Sequence, residues 1–198
     1  AGHVLGSAQI VIEYKGSRVV VSGDYKRQAD STCRPFEVVN CDVFITEATF
    51  GLPVFKHPKA QIETKKLLNS IDLFNNRCHV VGTYALGKAQ RVISLLRESG
   101  YHQPIFIHGA LRKLCDLYVE HGIDLGERRA VPDSRKKSGA LELEGQIVLA
   151  PPSAIADRWV RKLGNPVIVM ASGWMRIKQR ARQRNVDLPL VISDHADW

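Results

Sequence analysis

The chain has 198 residues, of which 44% are hydrophobic and 24% charged, and its formal net charge is +8. This composition is typical of a soluble globular protein and excludes collagen-like repeats and long disordered segments. No apolar run approaches the roughly 18 residues of a membrane span, and the first residues lack the basic-then-apolar pattern of a signal peptide. We therefore expect a cytoplasmic protein with no membrane partner. The four cysteines show no C-x-x-C spacing, so neither a zinc knuckle nor a disulfide framework is indicated.

The predicted elements alternate between strands and helices. Eight short apolar runs predict strands at 9–14, 18–23, 43–48, 79–84, 104–109, 146–150, 166–173 and 190–195. Apolar residues three or four apart predict helices over 62–74, 111–119 and 153–163, the last with Ser153 as its N-cap. The charged segment 126–145 reads as an exposed loop or a short hairpin. The alternation predicts an α/β architecture with mostly buried sheets.

Nearly every predicted strand ends in small or ionisable residues. In open α/β sheets, ligands bind beyond the carboxyl ends of the strands, so this pattern indicates an enzyme. The strand ends in question are Ser22-Gly23-Asp24, Thr46-Glu47, Thr83-Tyr84, His108-Gly109, Ser172-Gly173 and Ser193-Asp194-His195.

The excess of basic residues favours a polyanionic partner, because clustered Lys and Arg side chains gain affinity by releasing counterions from phosphates. The stretch WMRIKQRARQR, directly after Ser172-Gly173, contains Arg176, Lys178, Arg180, Arg182 and Arg184. Charge alone leaves two interpretations open for this stretch, a nucleic-acid surface and an ordinary solvated helix face.

Six motifs occur in the order found in metallo-β-lactamase-fold nucleases that carry an inserted β-CASP domain. They are AGHVLGSAQ, VSGDY, FITEATFG, GTYALGKAQR, MASGWMR and SDHADW, and the likeness extends over residues 2–198. Within this group the chain resembles the bacterial DNA ligase-associated exonucleases, also described as mRNA 3′-end processing factor-like. The resemblance implies a partial metallo-β-lactamase αββα fold for 1–51, a β-CASP α/β domain for 52–186, and a return to the first domain for 187–198.

The resemblance also implies a metal site. His3 and His195 match histidine ligands of the family, and Asp24 matches the aspartate that bridges two divalent ions, zinc or manganese. Glu47 matches the acidic residue of the first β-CASP motif, which orients a metal-bound histidine and assists proton transfer. Asp24, Glu47 and His195 are therefore the candidate catalytic residues. We expect one of the two aspartates beside His195 to hold the other nitrogen of its imidazole.

The motif GTYALGKAQR predicts a phosphate contact. Gly87 and Lys88 stand at the expected start of a helix, where backbone N–H groups and an ammonium can meet a phosphate. The Walker A frame is absent. The resemblance implies that this loop, the Ser172 turn and His108 line a substrate cleft, although a core histidine is the alternative for His108. The predicted nucleic-acid-binding residues are Tyr84, Gly87, Lys88, His108, Ser172, Gly173, Trp174, Arg176 and Ser193.

One family motif, H-x-H-x-D-H, is missing, since no two of the seven histidines are two positions apart. In full-length relatives this motif lies upstream, so we expect a segment whose metal site is incomplete and whose catalysis is poor by itself. A separate histidine of the RNA-processing members is also absent, which favours a DNA-acting enzyme. The expected function is a metal-dependent exonuclease acting on DNA ends or single strands in bacterial DNA repair, beside a DNA ligase and a helicase. An RNA 3′-end processing nuclease and an inactive nucleic-acid-binding segment remain the alternatives.

Overall fold

The computed structural model describes residues 1–132 and 142–198. The strands of the described part are β1 (Ile10–Tyr14), β2 (Ser17–Val21), β3 (Val43–Ile45), β4 (His79–Gly82), β5 (Ile105–Ile107), β6 (Arg128–Ala130), β7 (Ile147–Ala150), β8 (Val167–Ala171) and β9 (Leu188–Leu190). The helices are α1 (Ala60–Leu73), α2 (Lys88–Glu98), α3 (Gly109–Glu120), α4 (Pro152–Ala156), α5 (Arg158–Arg161) and α6 (Lys178–Gln183). The expected α/β class is confirmed. None of these described helices has the length and apolar character needed to cross a membrane.

The smaller sheet has the order β1-β2-β3. Its antiparallel hairpin turns at Lys15 and Gly16, whose φ angles of 48° and 81° match the type I′ turn that suits a two-residue hairpin. Strands β2 and β3 are parallel and end opposite each other. Asp24 follows β2 and Glu47 follows β3, so the two carboxylates reach the same edge of this sheet.

The larger sheet has the order β6-β5-β7-β4-β8-β9, and all of its pairs are parallel. Every residue of β4 and β7 is buried, as expected for strands covered on both faces. Leu67 of α1, Val92 of α2 and Leu111 of α3 pack on one face together with Val81. The adjacent residue, Val80, points to the other face, where α4 and α5 pack. Two helical layers therefore enclose the sheet.

Two predicted elements differ from the structure near the larger sheet. The helix predicted over 153–163 is split into α4 and α5, because Asp157 is extended and its carboxylate accepts from the Arg158 N–H to begin a new helix. The N-cap of α4 is Pro151, so the prediction of Ser153 was wrong. Within the segment 126–145, β6 pairs in parallel with β5 instead of forming a loop or hairpin, and residues 133–141 of that segment lie outside the described residues.

The strand predicted at 190–195 also ends earlier, at Leu190. Beyond it, the Val191 N–H donates to the carboxylate of Glu63 on α1 at 2.9 Å, which draws the backbone out of the sheet. The following loop then crosses to the smaller sheet, where the Ala196 N–H donates to Tyr25 O and Asp197 bridges to Phe50. Because β9 pairs with β8, this last segment is attached to both sheets, and the domain limits at 51 and 186 stay a prediction.

Candidate metal and nucleic-acid site

Three side chains from distant parts of the sequence meet at one point. His3 lies in the first turn of the chain, Asp24 follows β2, and His195 lies in the loop after β9. One ligand atom from each lies within 4.8 Å of the others. His3 Nε2 is 3.7 Å from Asp24 Oδ2, and the two imidazole ring centroids are 4.7 Å apart. The structure thus brings together the three residues that the sequence predicted as metal ligands, here called the His3–Asp24–His195 cluster.

The orientation of His3 is fixed by the backbone. Its Nδ1 lies 2.8 Å from the Asp194 carbonyl oxygen, and because a carbonyl can only accept, Nδ1 carries the proton. Nε2 is then the nitrogen with a free lone pair, and it faces Asp24. The preceding residue, Gly2, has a φ of 75°, and a Cβ there would lie 2.5 Å from Lys26 O. Only glycine fits at this position, which allows the first turn to approach the core closely.

The orientation of His195 is fixed by Glu47. His195 Nδ1 lies 3.0 Å from Glu47 Oε2 and 3.2 Å from Oε1, so the ring donates to the carboxylate. Burial by itself would raise the pKa of Glu47. Hydrogen bonds from His195, Thr49 and the Tyr25 N–H outweigh that effect and lower the pKa to about 2. Glu47 is therefore an anion at neutral pH, and it leaves Nε2 of His195 available.

The expectation that an aspartate beside His195 holds its imidazole was wrong. The carboxylate of Asp194 lies 2.9 Å from the Lys88 ammonium, and that of Asp197 accepts from the His57 N–H at 2.9 Å. Glu47, for which the resemblance implies the orientation of a metal-bound histidine, reaches His195 instead, because the ends of β2 and β3 lie beside the terminal loop.

The cluster fits a divalent ion. Each imidazole has Nδ1 engaged by an acceptor, and within residues 1–132 and 142–198 its Nε2 has no hydrogen-bond partner, which is the arrangement by which proteins fix a histidine as a metal ligand. The side chain of Asp24 is 52% exposed and can turn a carboxylate oxygen toward an ion. Among the described residues the cluster contains these three groups, one fewer than the four ligands of a closed zinc site.

A cavity of about 250 Å³ opens beside the cluster. Six of the predicted nucleic-acid-binding residues line it, namely Tyr84, Lys88, Ser172, Gly173, Trp174 and Ser193. Ser193 is buried, and its hydroxyl accepts from the His195 N–H at 3.0 Å, so it shapes the terminal loop. Tyr84 is 59% exposed at the mouth of the cavity and is accessible to a ligand.

The start of α2 has a different environment from the one expected of a phosphate-binding loop. Gly87 has a φ of 79°, and the N–H groups of Lys88 and Ala89 donate to the carbonyls of Leu86 and Tyr84. The Lys88 side chain is only 4% exposed and pairs with Asp194. Burial lowers the pKa of this ammonium to about 8, although Asp194 opposes the shift. These groups are thus engaged by contacts within the protein.

The turn at Ser172 is packed against aromatic residues. The Ser172 hydroxyl accepts from the Trp174 N–H, and a Cβ at Gly173 would lie 2.5 Å from Phe50 Cζ. Trp174 meets Phe50 edge-on at 5.0 Å and carries the Arg180 guanidinium 4.0 Å above its ring. Phe50 was not among the predicted site residues, although it stands in the motif FITEATFG and its ring also contacts that of His195.

Two predicted residues have other contacts. His108 caps α3, where its Nδ1 accepts from the Ala110 N–H at 3.1 Å, and its ring meets Trp159 edge-on at 4.8 Å. Arg176 is exposed, and its Nε donates to Val54 O at 3.1 Å. Neither lines the cavity beside the cluster. Their nucleic-acid contacts stay a prediction.

No family model matches the chain. A relative named probable DNA ligase, from Opitutus terrae, is 29% identical over 208 residues, which cover all of this chain and 19% of the relative. Cleavage and polyadenylation specificity factor subunit 3 from Dictyostelium discoideum is 35% identical over 58% of this chain and 16% of its own length. Endoribonuclease YSH1 from Saccharomyces cerevisiae is also 35% identical over 58% of this chain and 16% of its own length.

The chain spans less than a fifth of the length of each of these three relatives. One of them is named as a ligase and another as an endoribonuclease, and the six motifs resemble those of nucleases associated with a DNA ligase or with RNA 3′-end processing. The chain is thus related to the metallo-β-lactamase-fold nucleases that carry a β-CASP domain.

Proposed function

We propose that this protein is part of a metal-dependent nuclease that hydrolyses DNA phosphodiester bonds. The observation that carries the proposal is the His3–Asp24–His195 cluster, whose ligand atoms lie within 4.8 Å although the residues come from opposite ends of the chain. Residues 1–51 and 187–198 would belong to the metallo-β-lactamase domain and residues 52–186 to the β-CASP domain.

The geometry of the cluster supports a role for each residue. His3 and Asp24 would hold an ion through Nε2 and a carboxylate oxygen. Zinc or manganese bound there, as one or two ions, would supply Lewis acidity for hydrolysis at neutral pH. Glu47 accepts a hydrogen bond from the Nδ1–H of His195 and holds that ring with Nε2 available. His195 can therefore act as a ligand through Nε2 or, when protonated, give a proton from Nε2 to the leaving oxygen.

The proposal that the substrate is DNA rests on the relative named probable DNA ligase, because that alignment covers the whole chain. We propose on this basis an exonuclease that acts on DNA ends or single strands in the repair reactions of the bacterial cytoplasm. A DNA ligase and a helicase would be its partners. The net charge of +8 supports a nucleic-acid substrate of either kind.

An RNA-processing nuclease is the second candidate. Its support is the 35% identity to endoribonuclease YSH1. This identity exceeds the 29% identity to the ligase relative, although the YSH1 alignment covers less of this chain. A nucleic-acid-binding segment without catalysis is the third candidate, because the cluster supplies three ligands.

Matched DNA and RNA oligomers of the same sequence, single-stranded and duplex, test these candidates. The purified protein is assayed with Mn²⁺, with Zn²⁺ and with EDTA, and Asp24→Asn serves as the ligand-deficient variant. Because the cluster supplies only three ligands, we expect these 198 residues by themselves to cleave DNA weakly at most, and that activity should need the ion and be lost in Asp24→Asn. Cleavage of RNA alone would favour the second candidate, and binding without any cleavage would favour the third. Cleavage that persists in EDTA would contradict the metal-dependent mechanism.

A further inference from the structure

Two buried cationic side chains of α2 bind the loop that precedes His195. Lys88 and Arg91 are one helical turn apart, and each side chain is 4% exposed. Lys88 Nζ lies 2.9 Å from one carboxylate oxygen of Asp194, and Arg91 Nη1 lies 3.7 Å from the other. Arg91 also donates to the Ser193 carbonyl. The helix therefore holds both the side chain and the backbone of this loop.

The same cations connect to the other two segments of the His3–Asp24–His195 cluster. Arg91 Nε lies 3.6 Å from the buried carboxylate of Asp30, which accepts from Lys26 Nζ at 2.7 Å. Lys26 Nζ also donates to Gly2 O at 2.8 Å. Gly2 precedes His3 by one residue, and Lys26 follows Asp24 by two. One buried ionic network thus touches the chain beside each member of the cluster.

Stability gives a weak explanation for this network. Burial of charges is costly, and well-packed apolar residues often replace buried ion pairs with no loss of stability. By contrast, the groups that Lys88 and Arg91 hold all lie beside the His3–Asp24–His195 cluster. Asp194 supplies the carbonyl that fixes His3 Nδ1–H, and it is the residue immediately before His195.

We infer that Lys88 and Arg91 are positioning residues for the metal site. By fixing Asp194, they hold its carbonyl oxygen where it sets the tautomer of His3 and they set the direction in which His195 leaves the loop. Lys88 thereby acts from inside the protein, in place of the phosphate contact that its sequence motif suggests. This inference rests on the proposed metal-dependent function, which it deepens by linking a β-CASP helix to the ligands.

The test compares variants that remove the contact without leaving a buried charge alone. Lys88→Met/Asp194→Asn removes both charges of one pair and preserves side-chain length, so it should fold. Arg91→Met removes the second cation. The matched control is Arg97→Met on the same helix, because Arg97 is also partly buried and donates to the carbonyls of Tyr101, Gln103, Leu125 and Glu127, away from the cluster.

Two readouts are independent of activity. Long-range ¹H–¹⁵N NMR of the histidine rings, assigned with His3→Gln, reports the tautomer of His3 without any ion. Titration with Mn²⁺ alone reports the dissociation constant. We expect the double variant and Arg91→Met to convert His3 from the Nδ1–H form to a tautomer mixture and to weaken Mn²⁺ binding about 10- to 100-fold. Arg97→Met should keep both values while its melting temperature falls.

A folded double variant with the wild-type His3 tautomer would overturn the inference, as would loss of the tautomer in Arg97→Met. The outcome is separable from that of the proposed function. If the wild type cleaves no nucleic acid but the double variant still loses the His3 tautomer, the nuclease proposal fails and the positioning role stands. If the wild type cleaves DNA and the double variant keeps the tautomer and the Mn²⁺ affinity, the positioning role alone is refuted.

Discussion

Substitution of Gly173 by alanine tests the aromatic packing that supports the site. A Cβ there would lie 2.5 Å from Phe50 Cζ, 2.6 Å from Phe50 Cε2 and 3.0 Å from His57 Cε1. Ordinary carbon contacts lie near 3.5 to 4.0 Å, so the Phe50 ring would have to move by about 1 Å. Phe50 is 2% exposed and packed against Phe55 and Trp174, and it has little room to do so. Overpacking of this kind costs about 1–3 kcal/mol.

Urea denaturation of Gly173→Ala measures this cost, and Gly109→Ala is the matched control. Gly109 is the first residue of α3, and a Cβ there meets nothing within 4 Å. Alanine at that position should be neutral or should stabilise the protein by up to about 1 kcal/mol, because it restricts the unfolded chain. A Gly173→Ala protein as stable as Gly109→Ala would refute the packing described here. Since Phe50 also contacts the His195 ring, we expect Gly173→Ala to weaken Mn²⁺ binding as well.

Three further predictions concern the residues around the cluster. The native pKa of Glu47, about 2, lies below the ordinary value of 4.5, so its ionised form stabilises the fold above pH 4.5 and this stability is lost as the pH falls toward 2. Between pH 5 and pH 2, the wild type should therefore lose about 3 kcal/mol of unfolding free energy relative to Glu47→Gln in urea titrations, and parallel curves would contradict this. If His195 is a ligand, His195→Ala should weaken Mn²⁺ binding in calorimetry as much as His3→Ala does; an unchanged affinity with lost cleavage would instead assign it to proton transfer. Glu63→Ala leaves the Val191 N–H without its acceptor and should lower the free energy of unfolding in urea by about 2 kcal/mol. Glu63→Gln keeps an acceptor oxygen and should lower it by less than half as much. Equal losses in the two variants would show that this hydrogen bond is unimportant.

The sequence by itself determined the local structure and the chemistry available at the site. Apolar residues three or four apart predicted α1 and α3, because this spacing places them on one face of a helix, and short continuous apolar runs predicted the buried strands β4 and β7. The family resemblance carried by the motifs implied that His3, Asp24, Glu47 and His195 belong to one centre, and their side chains are of the types that bind or orient metal ligands.

The resemblance implied that Glu47 orients a histidine, but only the tertiary structure decided which histidine this is and which groups hold the other side chains. The acceptor for His195 is Glu47, 148 positions away, and the acceptor for His3 is a carbonyl 191 positions away. Lys88 was predicted as a phosphate contact at the start of a helix, yet it is buried against Asp194. Hydrogen bonds and burial depend on which segments the fold places side by side, and a periodic pattern records only whether a residue faces inward. These partners could therefore be identified only from the tertiary structure, in which the ends of parallel strands lie side by side.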